Sequence, residues 1–349
     1  MSGPREPALL RVEDLHVEAP GRPLVRGVGL DVAPGEAFGL VGESGSGKSL
    51  TARAVLRLLP RALRTRGRIL FDGADVGAFT PAGLRRYRSG GVGMVFQDPR
   101  AHINPVRSVG DFLTEGLRTV GGASRRRAES EAVGLLEEVG VDAAPRRMRQ
   151  WPHELSGGLL QRVMIASVLA ARPRLILADE PTTALDATTQ EEVMAILGDL
   201  RRERGAALLF ITHDLDLAAA VCDRVGVMYA GRVVEELPAR ELERRPLHPY
   251  TAGLLRARPR IRGPRGRLEA VPGRPLPAYE APDGCAFRDR CPRAAEVCAA
   301  APPLRPLGAG RVACHFADEG APGTDFGEDV GEDAGGGAPG EIGEEDRRG

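Results

Sequence analysis

Lysine is almost absent from this chain: 47 of its 48 basic residues are arginine, and Lys48 alone is lysine. Arginine serves wherever a generic positive charge suffices, so Lys48 marks a position that needs a compact ammonium rather than a planar guanidinium. Uninterrupted apolar runs near the roughly 18–20 residues of a membrane-spanning helix are also missing. Met1–Val12 has no apolar stretch after its charges, so a soluble, cytoplasmic protein without a leader is expected. Cysteine is scarce, with five in 349 residues and four of them between Cys285 and Cys314. That distribution excludes a secreted disulfide framework and suggests one local metal or cluster site. Net charge is zero, but residues 316–349 carry eleven acidic residues against Arg347 and Arg348, leaving +9 on residues 1–315. The arginines are scattered and not interleaved with aromatics, which are 4% of the chain. The basic excess therefore suits an anionic lipid surface better than nucleic acid.

A chain of 349 residues buries one substantial core plus an appendage. Short apolar runs predict strands at Leu9–Val17, Ala37–Val41, Val92–Phe96, Leu175–Asp179, Ala207–Thr212 and Arg224–Tyr229, alternating with helical stretches, so the core is α/β. Residues 99–152 turn helical and polar, with Arg125–Val139 the clearest amphipathic segment, and read as a helical subdomain inserted in that core. The main unit is placed at residues 1–257. Residues 258–315 form a Pro-, Arg- and Cys-bearing extension, and 316–349 a Gly-rich acidic tail expected to be disordered.

Gly42-Glu43-Ser44-Gly45-Ser46-Gly47-Lys48-Ser49 matches the P-loop pattern, between an apolar strand and a helix expected at Ser49–Leu59. Its glycines let backbone N–H groups turn inward around phosphates, Lys48 reaches the β/γ-phosphates, and Ser49 holds Mg²⁺. Thr51 is grouped with these ATP-binding residues. The strand Leu175–Asp179 ends in a carboxylate and is followed by Glu180. Asp179 is expected at Mg²⁺ and Glu180 as the base that polarises the attacking water.

Leu155-Ser156-Gly157-Gly158, followed by a helical run to Ala170, resembles the signature of ABC proteins. The resemblance implies a P-loop NTPase fold of the ABC ATPase type: an α/β core with an antiparallel β subdomain, an inserted helical subdomain and a small Cys-containing C-terminal extension. It implies a dimer, in which Ser156, Gly157 and Gly158 close on the γ-phosphate held by the opposite subunit's P-loop. Gln97, Asp186 and His213 follow the family's order. By resemblance Gln97 senses Mg²⁺ and water, Asp186 communicates across the dimer, and His213 contacts the γ-phosphate. Taken singly they read as a strand-end cap, a helix N-cap and a surface imidazole. Leu159 stands where many relatives carry Gln or Met. The adenine-stacking aromatic that ABC proteins place upstream of the P-loop is lacking: His16 is the only ring in residues 16–26.

Phe96-Gln97-Asp98-Pro99 with Asn104-Pro105, Trp151-Pro152-His153-Glu154, and Pro246-Leu247-His248-Pro249-Tyr250-Thr251 leading to Val271-Pro272-Gly273 resemble oligopeptide/dipeptide permease ATPases. That likeness implies peptide import with two membrane-spanning permease subunits, a second and unlike ATPase, an extracytoplasmic substrate-binding protein, no nucleic acid, and a place on the cytoplasmic face of the membrane. Nickel import is an alternative, and a soluble ABC protein acting on nucleic acid or ribosomes another. Cys285, Cys291, Cys298 and Cys314 are spaced C-x5-C-x6-C-x15-C, which fits neither short zinc pairs nor ferredoxin runs. Relatives are thought to hold a [4Fe–4S] cluster there. Zn²⁺ and four free structural cysteines remain alternatives.

Overall fold

The unbroken apolar runs stack side by side as a parallel sheet covered on both faces, the arrangement such runs require. The computed structural model describes residues 8–182, 185–258 and 270–319; the acidic tail from residue 320 lies outside them. The strands are β1 (Leu10–Ala19), β2 (Arg22–Val32), β3 (Ala37–Val41), β4 (Arg64–Phe71), β5 (Ala74–Asp75), β6 (Val92–Val95), β7 (Leu175–Asp179), β8 (Ala207–Thr212), β9 (Arg224–Tyr229), β10 (Arg232–Pro238), β11 (Arg305–Leu307) and β12 (Gly310–Val312). They form an antiparallel sheet of order β2-β1-β4-β5 and an eight-stranded sheet of order β11-β12-β10-β9-β3-β8-β7-β6. In the larger sheet β3 runs parallel to β8 and β9, and β7 parallel to β6 and β8. The expected α/β core is present, and the antiparallel subdomain implied by resemblance is built from β1, β2, β4 and β5.

Strand alternation sorts the side chains of the large sheet into two cores. Ala37, Val41, Ile176, Ala178, Leu208 and Phe210 belong to one core with residues of the helices Val109–Thr119, Arg125–Glu138, Gly157–Ala170, Ala187–Arg204 and Leu215–Val221. Phe38, Leu40, Leu175, Leu177, Leu209 and Ile211 face the antiparallel sheet and the helix Lys48–Val55. Each fully buried side chain of this kind contributes roughly 1.5–3 kcal/mol, so these core strands fix the frame. Three helices of the first core begin at serines: Ser108, Ser124 and Ser156 each accept from a backbone N–H three residues on, at 3.1, 3.4 and 3.3 Å, which satisfies an otherwise orphan donor.

Several boundaries differ from expectation: β1 runs on to Ala19 rather than Val17, and β6 stops at Val95 rather than Phe96. The helix after the P-loop stops at Val55 rather than Leu59, because Arg57 adopts φ 53° and Leu58 N–H donates back to Arg53 O at 2.8 Å, a left-handed C-terminal stop. The C-terminal extension contributes two strands. Its strands β11 and β12 join the large sheet beside β10, and Arg311 of β12 pairs with Glu236 of β10, which also holds Arg224 at 2.5 Å.

Beside that junction Glu235 and His248 are buried together. Burial pushes the Glu235 carboxyl up to about 7, against hydrogen bonds from the Leu247 and His248 backbone N–H groups. Burial takes His248 down to about 3, and its Nδ1 accepts from Tyr250 N at 3.0 Å. Glu235, raised, gives stability that is present below the ordinary carboxylate range and lost as pH rises through about 7. His248, depressed, gives stability that is present above the ordinary imidazole value and lost as pH falls through about 3. Denaturant titrations across pH are expected to show the pair's contribution falling away on both sides. In His248→Asn, which keeps a helix-capping side chain, the acid-side loss should shrink while the neutral-side loss stays.

Candidate nucleotide site

The strand β3 delivers the loop 42–47 straight into the helix Lys48–Val55. A Cβ on Gly42 would lie 2.1 Å from Met228 O, so no side chain fits there. Gly47 turns into the helix at φ 104°, a conformation glycine adopts without penalty. Ser46 Oγ is buried without a hydrogen-bond partner, a free donor at the turn. Lys48 is 4% exposed, and its Nζ donates to the Gly42 and Glu43 carbonyls at 2.8 and 3.0 Å. Burial lowers the ammonium's pKa, and the carboxylates of Glu180, Asp179 and Glu43 oppose that shift.

Opposite the loop, β7 ends on Asp179, which is 1% exposed and accepts from Ser49 Oγ at 2.7 Å. Burial raises its pKa, while the Ser49 hydrogen bond and Arg53 pull it down. The next residue, Glu180, holds φ 46°, a strained region for a residue with a side chain. Its N–H is tied to Ile211 O at 2.9 Å. Gln97 Nε2 donates to Glu180 Oε2 at 3.0 Å, and His213 Nδ1 lies 3.5 Å from the same oxygen. Phe96, beside Gln97, is stacked face to face on His102 with ring centroids 3.8 Å apart. Lys48, Ser49, Gln97, Glu180 and His213 line one cleft of about 800 Å³, a volume suited to a nucleotide. The donor set of Ser49, Asp179 and Gln97, with its unpartnered buried hydroxyl nearby at Ser46, fits Mg²⁺–triphosphate chemistry, hard oxygen ligands beside phosphates.

The structure does not bring every expected residue to this cleft. Thr51 is fully buried and its hydroxyl donates to Gly47 O at 3.0 Å, so it secures the helix start. Glu43 points its carboxylate at Arg290 of the extension, at 2.8 and 3.2 Å, and its N–H donates to Tyr250 Oη at 3.1 Å. Ser156 and Gly157 are exposed at the start of their helix. A Cβ on Gly158 would sit 2.7 Å from Thr189 Cγ2, and Thr189 hydrogen-bonds both carboxylate oxygens of Asp186 at 3.0 and 2.8 Å. Ser156, Gly157, Gly158 and Asp186 therefore form a second patch, apart from the residues lining the chain's own cleft. His16, the one upstream ring, is hydrogen-bonded to Asp14 at 3.0 Å and does not line the cleft.

The structure does not support the cluster expectation. The four cysteines of the extension are free, and among the described residues no three of His, Cys, Asp and Glu are grouped so as to hold a metal ion. The segment is ordered by its backbone instead: Cys285 N–H donates to Cys298 O at 2.9 Å, and the sulfurs of Cys291 and Cys314 accept from Arg293 and Phe316 N–H at 3.4 Å. Burial raises Cys285 to about 11 and raises Cys291 and Cys314 as well, and the neighbouring cysteines add to each rise. Neither the [4Fe–4S] cluster nor Zn²⁺ is supported. Cys222 is a buried small hydrophobe at 7% exposure.

The sequence reading missed Leu24, Pro277, Ala278 and Tyr279, which line the cleft, and the Arg290–Glu43 pair. Pro277, Ala278, Tyr279 and Arg290 lie more than 200 residues from the P-loop, so only the missing upstream aromatic hinted at them.

Comparison with known proteins agrees with this site. Residues 25–183 match the model of the ABC transporter family, and residues 234–298 that of the oligopeptide/dipeptide transporter C-terminal region. The oligopeptide transport ATP-binding protein OppD of Escherichia coli is 43% identical over 313 residues, covering 88% of this chain and 93% of that one. OppD of Haemophilus influenzae is 43% identical over 278 residues, covering 80% and 86%. A dimeric ATP-binding cassette solved in a post-hydrolysis state with ADP and Pi superposes with a TM-score of 0.59 at 28% identity, covering 66% of this chain and 99% of that one. With that fold, these motifs and these relatives, the chain belongs to the ABC transporter family, as an ATP-hydrolysing subunit of the oligopeptide/dipeptide type.

Proposed function

We propose that this subunit powers peptide import by hydrolysing ATP between its own P-loop and the signature helix of a second ATPase. The observation that carries the reading is the split of the site: one cleft holds Lys48, Ser49, Gln97, Glu180 and His213, while Ser156, Gly157, Gly158 and Asp186 lie exposed or packed elsewhere. Residues 42–49 bind the phosphates, and Ser49, Asp179 and Gln97 would hold Mg²⁺. An ion held there would offset the phosphate charge. Glu180 draws the proton of the attacking water, with Gln97 and His213 fixing its carboxylate. Ser156 and the glycine amides beside it present a helix N-terminus to the partner's γ-phosphate.

The insert 99–152 is the face that meets two permease subunits, supported by the exposed Val106, Val120 and Trp151, at 74%, 63% and 42%. Residues 1–257 form the ATPase unit and 258–315 its extension. The ATPase partner is an unlike chain, a substrate-binding protein delivers peptide from outside, and the subunit works on the cytoplasmic face; among the described residues no helix is long and apolar enough to cross a membrane. Vesicles bearing the purified complex are expected to take up a labelled tripeptide with ATP and no Ni²⁺. Ni²⁺ uptake without peptide uptake would reassign the cargo, and ATP hydrolysis with neither would reject import.

A further inference from the structure

The wall of the cleft facing the P-loop is apolar and comes from two distant segments: Leu24 of β2, and Pro277, Ala278 and Tyr279 of the C-terminal extension. Of the chain's four tyrosines, Tyr87, Tyr229 and Tyr250 are buried at 4%, 1% and 0% exposure, whereas Tyr279 is 43% exposed. The buried ones have structural partners: Tyr87 Oη donates to Val55 O at 3.0 Å, Tyr250 Oη accepts from Glu43 N at 3.1 Å, and Tyr229 packs under Arg290. Tyr279 has its ring at the cleft, with the Arg22 guanidinium 5.3 Å from its centroid.

This ring is mechanically tied to the P-loop. Gly231 N–H donates to Ser46 O at 3.0 Å, and Arg26 N–H donates to Gly231 O at 2.8 Å. The Arg26 guanidinium then donates to Ala281 O and Pro282 O at 3.1 and 3.3 Å. Ala278 is packed so closely on Gly231 that a Cβ there would meet its methyl at 2.8 Å. Glu280 N–H closes a turn onto Pro277 O at 3.0 Å, bracketing Tyr279. Three short links therefore set the distance between the phosphate loop and the ring.

We propose that Tyr279 is the platform on which the purine base of the bound nucleotide stacks, so that the C-terminal extension completes the ATP site of its own chain. Leu24 and Pro277 supply the apolar rim, and Arg22 backs the ring. Stacking reads the π-face of a base and not its edge, and the three lining residues beside the ring, Leu24, Pro277 and Ala278, carry no polar side-chain group. ATP and GTP both gain from it, whereas a bare triphosphate does not.

The test compares ATP with inorganic tripolyphosphate, each with Mg²⁺, by calorimetry on the full-length chain. Tyr279→Ala and Tyr279→Leu are expected to weaken ATP binding roughly 10- to 100-fold and to leave tripolyphosphate binding within about twofold, while Tyr279→Phe binds both as the wild type does. Photolabelling with 8-azido-ATP is expected to mark the peptide carrying Tyr279. Unchanged ATP affinity in Tyr279→Ala, or equal loss of both ligands with Tyr279→Leu, overturns the proposal. If Lys48→Ala still abolishes binding of both ligands, the P-loop site itself stands whatever Tyr279 does.

Discussion

Glu180→Gln lowers steady-state phosphate release by about two to four orders of magnitude, the range a positioned general base supplies, and leaves ATP affinity nearly unchanged. The substitution keeps the side chain's shape and its acceptor oxygen, so the 3.0 Å contact from Gln97 Nε2 survives. Only the proton acceptor is lost. Phosphate contacts come from residues 42–49 and the triphosphate still docks. The backbone strain at Glu180, φ 46°, is unaffected, because it is imposed by the turn leaving β7 and by the Ile211 carbonyl. A phosphate-release assay alongside a nucleotide-binding titration separates the two effects. A parallel fall in both would mean that Glu180 supports the loop and not the chemistry.

Arg290→Met destabilises the protein by about 2–3 kcal/mol, below the 3–5 kcal/mol typical of breaking a fully buried pair, because the Glu43 side chain keeps 22% exposure. Arg290 itself is 6% exposed and donates to Pro272 O at 2.7 Å as well as to the carboxylate. Methionine fills part of the volume but leaves Glu43 without its guanidinium inside a phosphate-binding loop. ATP affinity therefore falls along with stability. The double variant Glu43→Gln/Arg290→Met is expected to recover part of both, since no charge is stranded, and chemical denaturation of the four proteins gives the coupling directly. Additive single effects would show that the pair is incidental.

The core was legible where apolar runs were unbroken, and opaque where another force overrode the pattern. β3, β7, β8 and β9 came through because every position but one is buried. β10 reads Arg-Val-Val-Glu-Glu-Leu-Pro, and its two buried carboxylates hide a core strand. Glu236 is held by Arg224 and Arg311, and Glu235 by backbone donors. β2 contains Pro23 and Gly27 and alternates only from Val28 to Val32, and the first five residues of β4 are exposed, so neither shows a two-residue period over its whole length. At the site, Lys48, Ser49, Asp179 and Glu180 were readable because phosphate chemistry demands those residues at those spacings. Tyr279 and Arg290 act at a distance of more than 200 residues from the P-loop, and their partners are set by tertiary docking that no local pattern records. The cysteines carried no such demand: their spacing fits no metal pattern, and among the described residues no group that could hold a metal ion forms.

The most direct measurement is affinity purification of the tagged chain from its native membranes in the presence of ATP, comparing wild type with Glu180→Gln and identifying each co-purifying chain. A second ATPase and two polytopic membrane proteins are expected in fixed ratio, held more firmly by the variant because its ATP is not hydrolysed. Recovery of ribosomal or DNA-bound partners alone, with no membrane protein in either sample, would contradict the account.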